Sequence, residues 1–114
     1  MSRNNVKLLT ARQLDFFNDK YIIECDDENV YVTFKYYKRR TPHPINKPFD
    51  INSEVRKISF SVEAISLWRK MKDKYTLFDV QQAVNICHVT YQDANESNVR
   101  KALKSPLYKI KEEE

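Results

Sequence analysis

The sequence predicts an α+β fold in which a small antiparallel β-sheet packs against a helical C-terminal half. Two β-rich runs, residues 21–25 and 30–37, surround a short polar cluster, which is the pattern of a β-hairpin. In the second half of the chain, apolar residues recur at helical spacing behind residues that favour helix N-caps. A chain of 114 residues has the usual length of one domain. We therefore expect a single domain over residues 1–114, with a helix and sheet in residues 10–60 and a helical half in residues 61–111.

The composition excludes a membrane-spanning protein. Hydrophobic residues make up 41% and charged residues 32% of the chain, which is enough for a core beneath a charged surface. No apolar run approaches the roughly 20 residues that span a bilayer, and the N-terminus lacks the apolar segment of a secretory signal. We therefore expect no membrane partner and a cytoplasmic location.

Glycine is absent from the chain, which removes the motifs of several enzyme classes. The phosphate-binding loop, the dinucleotide fingerprint and the nucleophile elbow all need glycine where the backbone turns sharply or approaches a ligand. Cys25, His43, Cys87 and His88 lack the paired spacing of zinc ligands, and both cysteines should remain thiols. With no paired Ser, His and acid spacing either, we expect no metal, no cofactor and no enzymatic activity. Any position that needs a positive φ should fall to Asn or Asp.

The first element is a helix over residues 11–17. Thr10 as N-cap and Gln13 three residues later form a capping box, in which each side chain accepts from the other residue's backbone N–H. Asn18 can end this helix, because asparagine tolerates the left-handed geometry of a helix end where glycine is lacking. We assign this element a structural role.

The hairpin should have one buried face and one wet face. In its second run, apolar residues alternate with polar side chains, which include tyrosines. We expect Phe34 on the apolar face to join Trp68 and Leu103 in one core. A third strand within residues 55–60 then completes a small antiparallel sheet.

A basic, proline-rich segment follows the hairpin. It begins with Lys38, Arg39 and Arg40 and includes Lys47. Its three prolines forbid a helix and predict an extended loop over residues 41–48. Cations beside tyrosines can pair with phosphates and stack on bases, so these four side chains are candidate nucleic-acid contacts. The alternative is a solvated edge strand that lysine and proline protect from aggregation.

Three helices and a short strand are predicted in the second half of the chain. The first helix covers residues 62–72 behind Ser61 as N-cap, and the second covers residues 76–85, where Thr76 and Asp79 form a second capping pair. The last helix begins near Asn95 or Glu96 and stops before Pro106. The last helix turns an apolar stripe inward and a charged face outward, which is typical of a nucleic-acid contact and equally of an ordinary solvated helix. A strand over residues 107–111 follows.

This order of helix, helix, helix and strand resembles a winged helix-turn-helix, a fold widespread among small transcriptional regulators. The resemblance covers about half of the chain and is one of topology. In such domains the third helix enters the major groove of DNA and the wing meets the DNA backbone. The resemblance therefore implies base-edge contacts by Ser97, Asn98, Arg100, Lys101 and Lys104, and phosphate contacts by Lys109 and Lys111.

The charge of the chain is concentrated in its middle. Residues 35–74 hold eleven basic and four acidic residues, a net charge of +7, whereas the segments on either side are slightly acidic. Such a concentration suits an anionic partner through release of counterions. We therefore expect a small nucleic-acid-binding protein that prefers DNA to RNA, and most simply a DNA-binding transcriptional regulator of winged-helix type.

The alternative function is an inhibitor or adaptor that binds another protein, a class common among viruses and mobile elements. Its interface would be a basic, tyrosine-rich surface, because tyrosine and arginine are enriched at protein interfaces. The residues concerned are Tyr31, Tyr36, Tyr37, Arg39 and Arg40. Neither interpretation specifies an oligomeric state.

Overall fold

The computed structural model describes residues 8–37 and 39–105, and within them the chain is α+β, as predicted, with four helices and five strands. In chain order the elements are α1 (Ala11–Lys20), β1 (Tyr21–Cys25), β2 (Asn29–Phe34), β3 (Arg39–Pro44), β4 (Phe49–Asn52), β5 (Lys57–Phe60), α2 (Val62–Met71), α3 (Leu77–Val89) and α4 (Glu96–Leu103). The predicted N-caps are confirmed at Thr10, Ser61 and Thr76, and Asn95 caps α4; each of these side chains accepts a backbone N–H of the first turn. The predicted strand over residues 107–111 lies outside the described residues.

The strands form two antiparallel sheets rather than one. In the three-stranded sheet, β2 lies between β1 and β3, which confirms the predicted hairpin. The strand predicted within residues 55–60 is present as β5, but its partner is β4, a strand that the sequence did not indicate. Phe49 faces Phe60 and Ile51 faces Ile58 in this pair, and all four side chains are buried. Cross-strand apolar contacts therefore define the second sheet.

The predicted extended loop over residues 41–48 is wrong in its first half, because residues up to Pro44 belong to β3. This strand pairs with β2 on one side only and is therefore an edge strand. Proline is tolerated there because an edge strand needs N–H donors on just one of its sides. The pairing with β2, a tertiary contact, therefore determines the conformation of this segment, which its prolines alone did not determine.

Helix α3 is the centre of the molecule. It runs to Val89, four residues beyond the predicted end near Asn85. Buried residues occur on nearly every side of it, including Gln81 and Gln82. A helix that is buried all round has no single apolar stripe. Phe78, near the start of this helix, is 1% exposed.

One cluster of buried side chains joins the helices to both sheets. Trp68 and Leu103 belong to it, as predicted, with 3% and 7% exposure. The prediction for Phe34 is wrong, because this ring is half-buried at the end of β2. It contacts Tyr21, Tyr36 and Tyr37 instead, with ring centroids 4.9 to 5.5 Å apart.

The first helix is longer than predicted and leads directly into the sheet. It continues to Lys20, so Asn18 does not end it. The Asn18 side chain instead accepts from the Thr76 hydroxyl at 2.6 Å and donates to Asp79 Oδ1 at 3.0 Å. These bonds attach α1 to the start of α3, and this tertiary role explains why a residue suited to a helix end lies within the helix.

The turn after α3 holds the positive-φ residue of the described chain, and it is Tyr91 rather than an Asn or Asp. Its φ is 58°. The N–H of Gln92 donates to Cys87 O at 2.8 Å and that of Tyr91 to His88 O at 3.2 Å. This pattern is the Schellman motif, in which the left-handed position is most often glycine. The chain has no glycine, and a tyrosine occupies this left-handed position instead.

Candidate nucleic-acid interface

Helix α4 packs as predicted through Val99, Ala102 and Leu103, all of which are buried. Its N-terminal residues have different roles. Ser97 is exposed, whereas the Asn98 side chain donates to Asp93 O at 2.9 Å and its backbone N–H donates to Asn95 Oδ1 at 2.8 Å. The Asn98 amide is therefore occupied in holding the turn before the helix.

The cations of α4 divide into paired and unpaired side chains. Arg100 donates through Nε at 3.0 Å and Nη2 at 2.9 Å to the carboxylate of Glu96, one turn earlier. Lys70 of α2 lies 3.9 Å from the same carboxylate. Lys101 and Lys104 are exposed, and neither makes an ion pair within the part of the chain that the structure describes. Two free lysines thus remain on the outer face, while the predicted contacts Lys109 and Lys111 lie outside the described residues.

The predicted basic loop does not form one surface. Lys38 lies outside the described residues, and Lys47 is exposed in the turn between β3 and β4. Arg39 and Arg40 are consecutive in a strand, so their side chains point to opposite faces of the sheet. The pleat therefore separates the two arginines that the sequence placed together.

Arg40 lies on the outer face of the sheet in a cluster of polar contacts. Its guanidinium carbon is 3.8 Å from the centre of the Tyr31 ring. The Tyr31 hydroxyl donates to Asp26 Oδ2 at 2.7 Å. This bond, together with backbone N–H groups of Glu28 and Asn29, lowers the pKa of Asp26 to about 2. The cluster fixes the β1–β2 turn, and Arg40 has a structural partner there.

Arg39 lies on the opposite face and borders an open groove. One recess of this groove has a volume of about 530 Å³, and the adjoining recess has about 690 Å³. Both recesses are lined by Tyr21, Phe34, Tyr37 and Asn52, so they lie next to each other. Tyr36 and Tyr37 are 68% and 79% exposed. Arg39 makes no ion pair with any described residue.

Arg39 lies at the end of the three-stranded sheet that is far from the β1–β2 turn. Arg39 is opposite Phe34, at the far end of β2 from the β1–β2 turn. Arg69 approaches that turn, with Nη2 3.4 Å from Asp26 O, and the next residue, Lys70, reaches the carboxylate of α4. The ends of β2 are roughly 17 Å apart at about 3.3 Å per residue. The structure therefore places Arg39 away from the end of the sheet that α2 approaches.

Sequence reasoning missed two features of these surfaces. The pairing of Glu96 with Arg100 was detectable, because opposite charges four residues apart in a helix are neighbours. The contribution of Lys20 was not, because it depends on the fold. Its ammonium donates to the Tyr36 hydroxyl at 2.7 Å, and this bond, followed by one to Asp19, raises the pKa of Lys20.

Other polar clusters in the described residues are small. No group of three His, Cys, Asp or Glu side chains is placed there to hold a metal ion. Cys25 and Cys87 are thiols, and burial raises the pKa of the Cys87 thiol. His88 lies 3.2 Å from Glu63.

Comparison with known proteins gives no relative. The chain matches no protein-family model, no curated protein and no solved structure. Within residues 8–37 and 39–105, none of the helices has both the length and the apolar character needed to cross a bilayer.

Proposed function

We propose that the protein is a small nucleic-acid-binding protein, and specifically a DNA-binding transcriptional regulator of winged-helix type. The observation that carries this proposal is the outer face of α4. The helix is anchored through its buried stripe and presents Lys101 and Lys104 to solvent without ion-pair partners among the described residues. Free lysines on a firmly packed helix suit contact with phosphates.

The order of α2, α3 and α4 supports the winged-helix type, in which the third helix enters the major groove. The turn between α3 and α4 spans residues 90–95, which is longer than the three to four residues of the simplest helix-turn-helix. A winged helix would place its wing after α4, at the predicted strand of residues 107–111.

The ion pair on α4 assigns different roles to its cations. Arg100 has to leave Glu96 before it can donate to a base edge, so base contact by this side chain requires rearrangement. Lys101 and Lys104 need none. We therefore propose phosphate contact by the two lysines and base or phosphate contact by Ser97 near the helix N-terminus.

The test is an electrophoretic shift with duplex DNA at about 50 and 200 mM salt. A Lys101→Glu/Lys104→Glu variant should lose binding at both concentrations. The matched control is Lys72→Glu/Lys74→Glu, because these two lysines are also exposed and carry the same change of charge. Equal loss in both variants would show that charge alone governs binding, and unchanged binding by the α4 variant would remove α4 from the interface.

A protein-binding inhibitor or adaptor is the second candidate. It is favoured by the mixed charges of Lys70, Glu96 and Arg100, which pair across two helices and suit a polar protein interface better than a phosphate backbone. A protein of this kind should pass through a column of random duplex DNA without salt-dependent retention. The regulator should be retained at low salt and released as salt rises.

A further inference from the structure

The turn after β2 holds a row of aromatic rings beside the open groove. The ring of Phe34 lies 5.5 Å from that of Tyr36, 5.2 Å from that of Tyr37 and 4.9 Å from that of Tyr21. Tyr36 and Tyr37 are 68% and 79% exposed, which is unusual for rings that have neighbours to pack on. Phe34 contacts both exposed rings, and Tyr21 packs on Phe34, so the exposed rings adjoin a packed aromatic pair.

The groove has walls from three parts of the fold. Phe16 and Lys20 of α1 line one side, and the β4–β5 turn, including Ser53 and Glu54, lines another. The recess of about 530 Å³ continues along β3, where Arg39, Thr41 and His43 line it. We call these two adjoining recesses together the aromatic groove.

The charged groups that line the aromatic groove are two cations, Lys20 and Arg39, and two carboxylates, Asp50 and Glu54. Lys20 holds the Tyr36 hydroxyl at 2.7 Å, and its Nζ is 4.8 Å from the centre of that ring. Asp50 borders the recess of about 530 Å³ and forms an ion pair with Lys57 at 3.3 Å, but none with Arg39. Burial lowers the pKa of His43, so this side chain is neutral at neutral pH. Glu54 is the second carboxylate of the groove and lies in the β4–β5 turn.

We infer that the aromatic groove binds single-stranded nucleic acid, with bases stacked on Tyr36 and Tyr37 and a phosphate held by Arg39. This inference rests on the proposed function but uses a site separate from α4. Proteins that bind single strands combine aromatic platforms with a basic groove in this way, because every base has a flat face to stack. An arginine that makes no ion pair with the described residues and lies beside exposed rings is the charge pattern that such a strand complements.

The edge strand argues against an extended peptide as the occupant. A peptide that adds to a sheet does so through hydrogen bonds to the backbone of the edge. Pro42 and Pro44 of β3 have no N–H to give. Strand addition along this side of the groove is therefore poorly supported, whereas base stacking needs no backbone donors.

The experiment is an anisotropy titration of the full chain with a labelled oligothymidylate of about 12 nucleotides, with the matching oligouridylate as a second probe. Tyr36→Ala and Tyr37→Ala should each weaken binding by roughly five- to 150-fold, and Tyr37→Phe should retain it because the ring remains. Tyr91→Asn is the control, since it removes a ring that is 68% exposed elsewhere. Comparison of the two probes states whether DNA or RNA is preferred. The fluorescence of Trp68, the one tryptophan, checks that each variant is folded.

The role of Arg39 has its own readout. Arg39→Ala should reduce the slope of log affinity against log salt by about 0.7, the value for one phosphate contact with a single strand. Glu54→Gln should strengthen binding, because it removes the acidic group from the rim.

Each outcome separates this inference from the proposed function. Binding of duplex through the α4 lysines with no binding of either single strand would overturn the aromatic groove alone. Binding of no nucleic acid of any kind would overturn both. Single-strand binding that is unchanged in both alanine variants would show that stacking plays no part and would overturn the groove. Equal displacement of the strand by polyglutamate from the wild type and from the variants would have the same meaning.

Discussion

The side-chain amide of Gln82 and the backbone of Leu9 form two reciprocal hydrogen bonds. Leu9 N–H donates to Gln82 Oε1 at 2.9 Å, and Gln82 Nε2 donates to Leu9 O at 2.8 Å. Gln82 is fully buried and Leu9 is 3% exposed. The glutamine thus serves the segment before α1 as a neighbouring strand would, and it fixes that segment to the central helix.

Replacing Gln82 by alanine should therefore destabilise the protein by about 2 to 4 kcal/mol, because one donor and one acceptor of the buried backbone lose their partners. Urea unfolding followed by Trp68 fluorescence measures the change. Gln92→Ala is the control, since Gln92 is exposed and its loss should stay within about 0.5 kcal/mol. A loss below about 1 kcal/mol for Gln82→Ala would mean that water replaces the amide in this part of the core.

The left-handed Tyr91 gives a prediction of the opposite sign. Tyr91→Gly should stabilise the protein by about 1 kcal/mol, because glycine adopts this geometry without the clash that a Cβ atom causes. Tyr91→Ala keeps the Cβ atom and removes the ring, so it should give no gain. Thermal unfolding of the three proteins distinguishes relief of backbone strain from loss of the ring. A stabilisation that alanine matches would assign the effect to the ring.

The outcome for each element follows from where its determining contacts lie. Helix starts were predictable because an N-cap such as Thr10, Ser61 or Thr76 bonds within its own first turn. The sequence left an extended loop and an edge strand as alternatives for β3, since the conformation of this segment depends on pairing with β2. Helix α3 was cut short in the prediction because burial on all sides erases the periodic pattern that marks a helix.

The candidate site shows the same division. The inward stripe of α4 and its exposed lysines were predictable from spacing of three and four residues. The separation of Arg39 from Arg40 required knowledge that these residues form a strand, because consecutive side chains in a loop need not point apart. The aromatic groove is lined by residues of α1 and of two separate β-hairpins, and no pattern within a short stretch of sequence predicts that these elements lie together.

Asp26 should make stability depend on acidity. Its pKa in the fold is about 2, below its ordinary value of 3.8, chiefly because Tyr31 donates to it. A carboxylate with a depressed pKa contributes stability that is complete above its unfolded pKa and is lost as pH falls through the folded value. The difference in unfolding free energy between wild type and Asp26→Asn should therefore be constant above about pH 4 and shrink between pH 4 and 2.

The Tyr31→Phe variant tests the cause of that shift. Removing the hydroxyl should raise the pKa of Asp26 toward its ordinary value, and an NMR titration of the carboxyl carbon measures it directly. The backbone N–H groups of Glu28 and Asn29 remain, so part of the shift should persist. An unchanged Asp26 pKa would show that these backbone donors alone account for the lowered pKa.

Glu96 should restrain nucleic-acid binding by α4, because its carboxylate holds Arg100 and lies near Lys70. Glu96→Gln removes the negative charge and frees Arg100 for a phosphate. Affinity for duplex DNA should rise, and the slope of log affinity against log salt should become steeper by about 0.9, which corresponds to one added phosphate contact. The helix should lose less than about 1 kcal/mol, since an acidic residue in the first turn contributes little at the surface.

The matched control is Glu63→Gln, which removes a carboxylate from the first turn of α2 beside His88. It changes net charge equally but frees no arginine. An increase confined to Glu96→Gln would place the duplex on α4, whereas equal increases would reflect net charge alone. A decrease for Glu96→Gln, with affinity for a protein partner also lost, would mean that the pairs among Lys70, Glu96 and Arg100 are themselves the recognised surface, and the adaptor function would then replace the regulator.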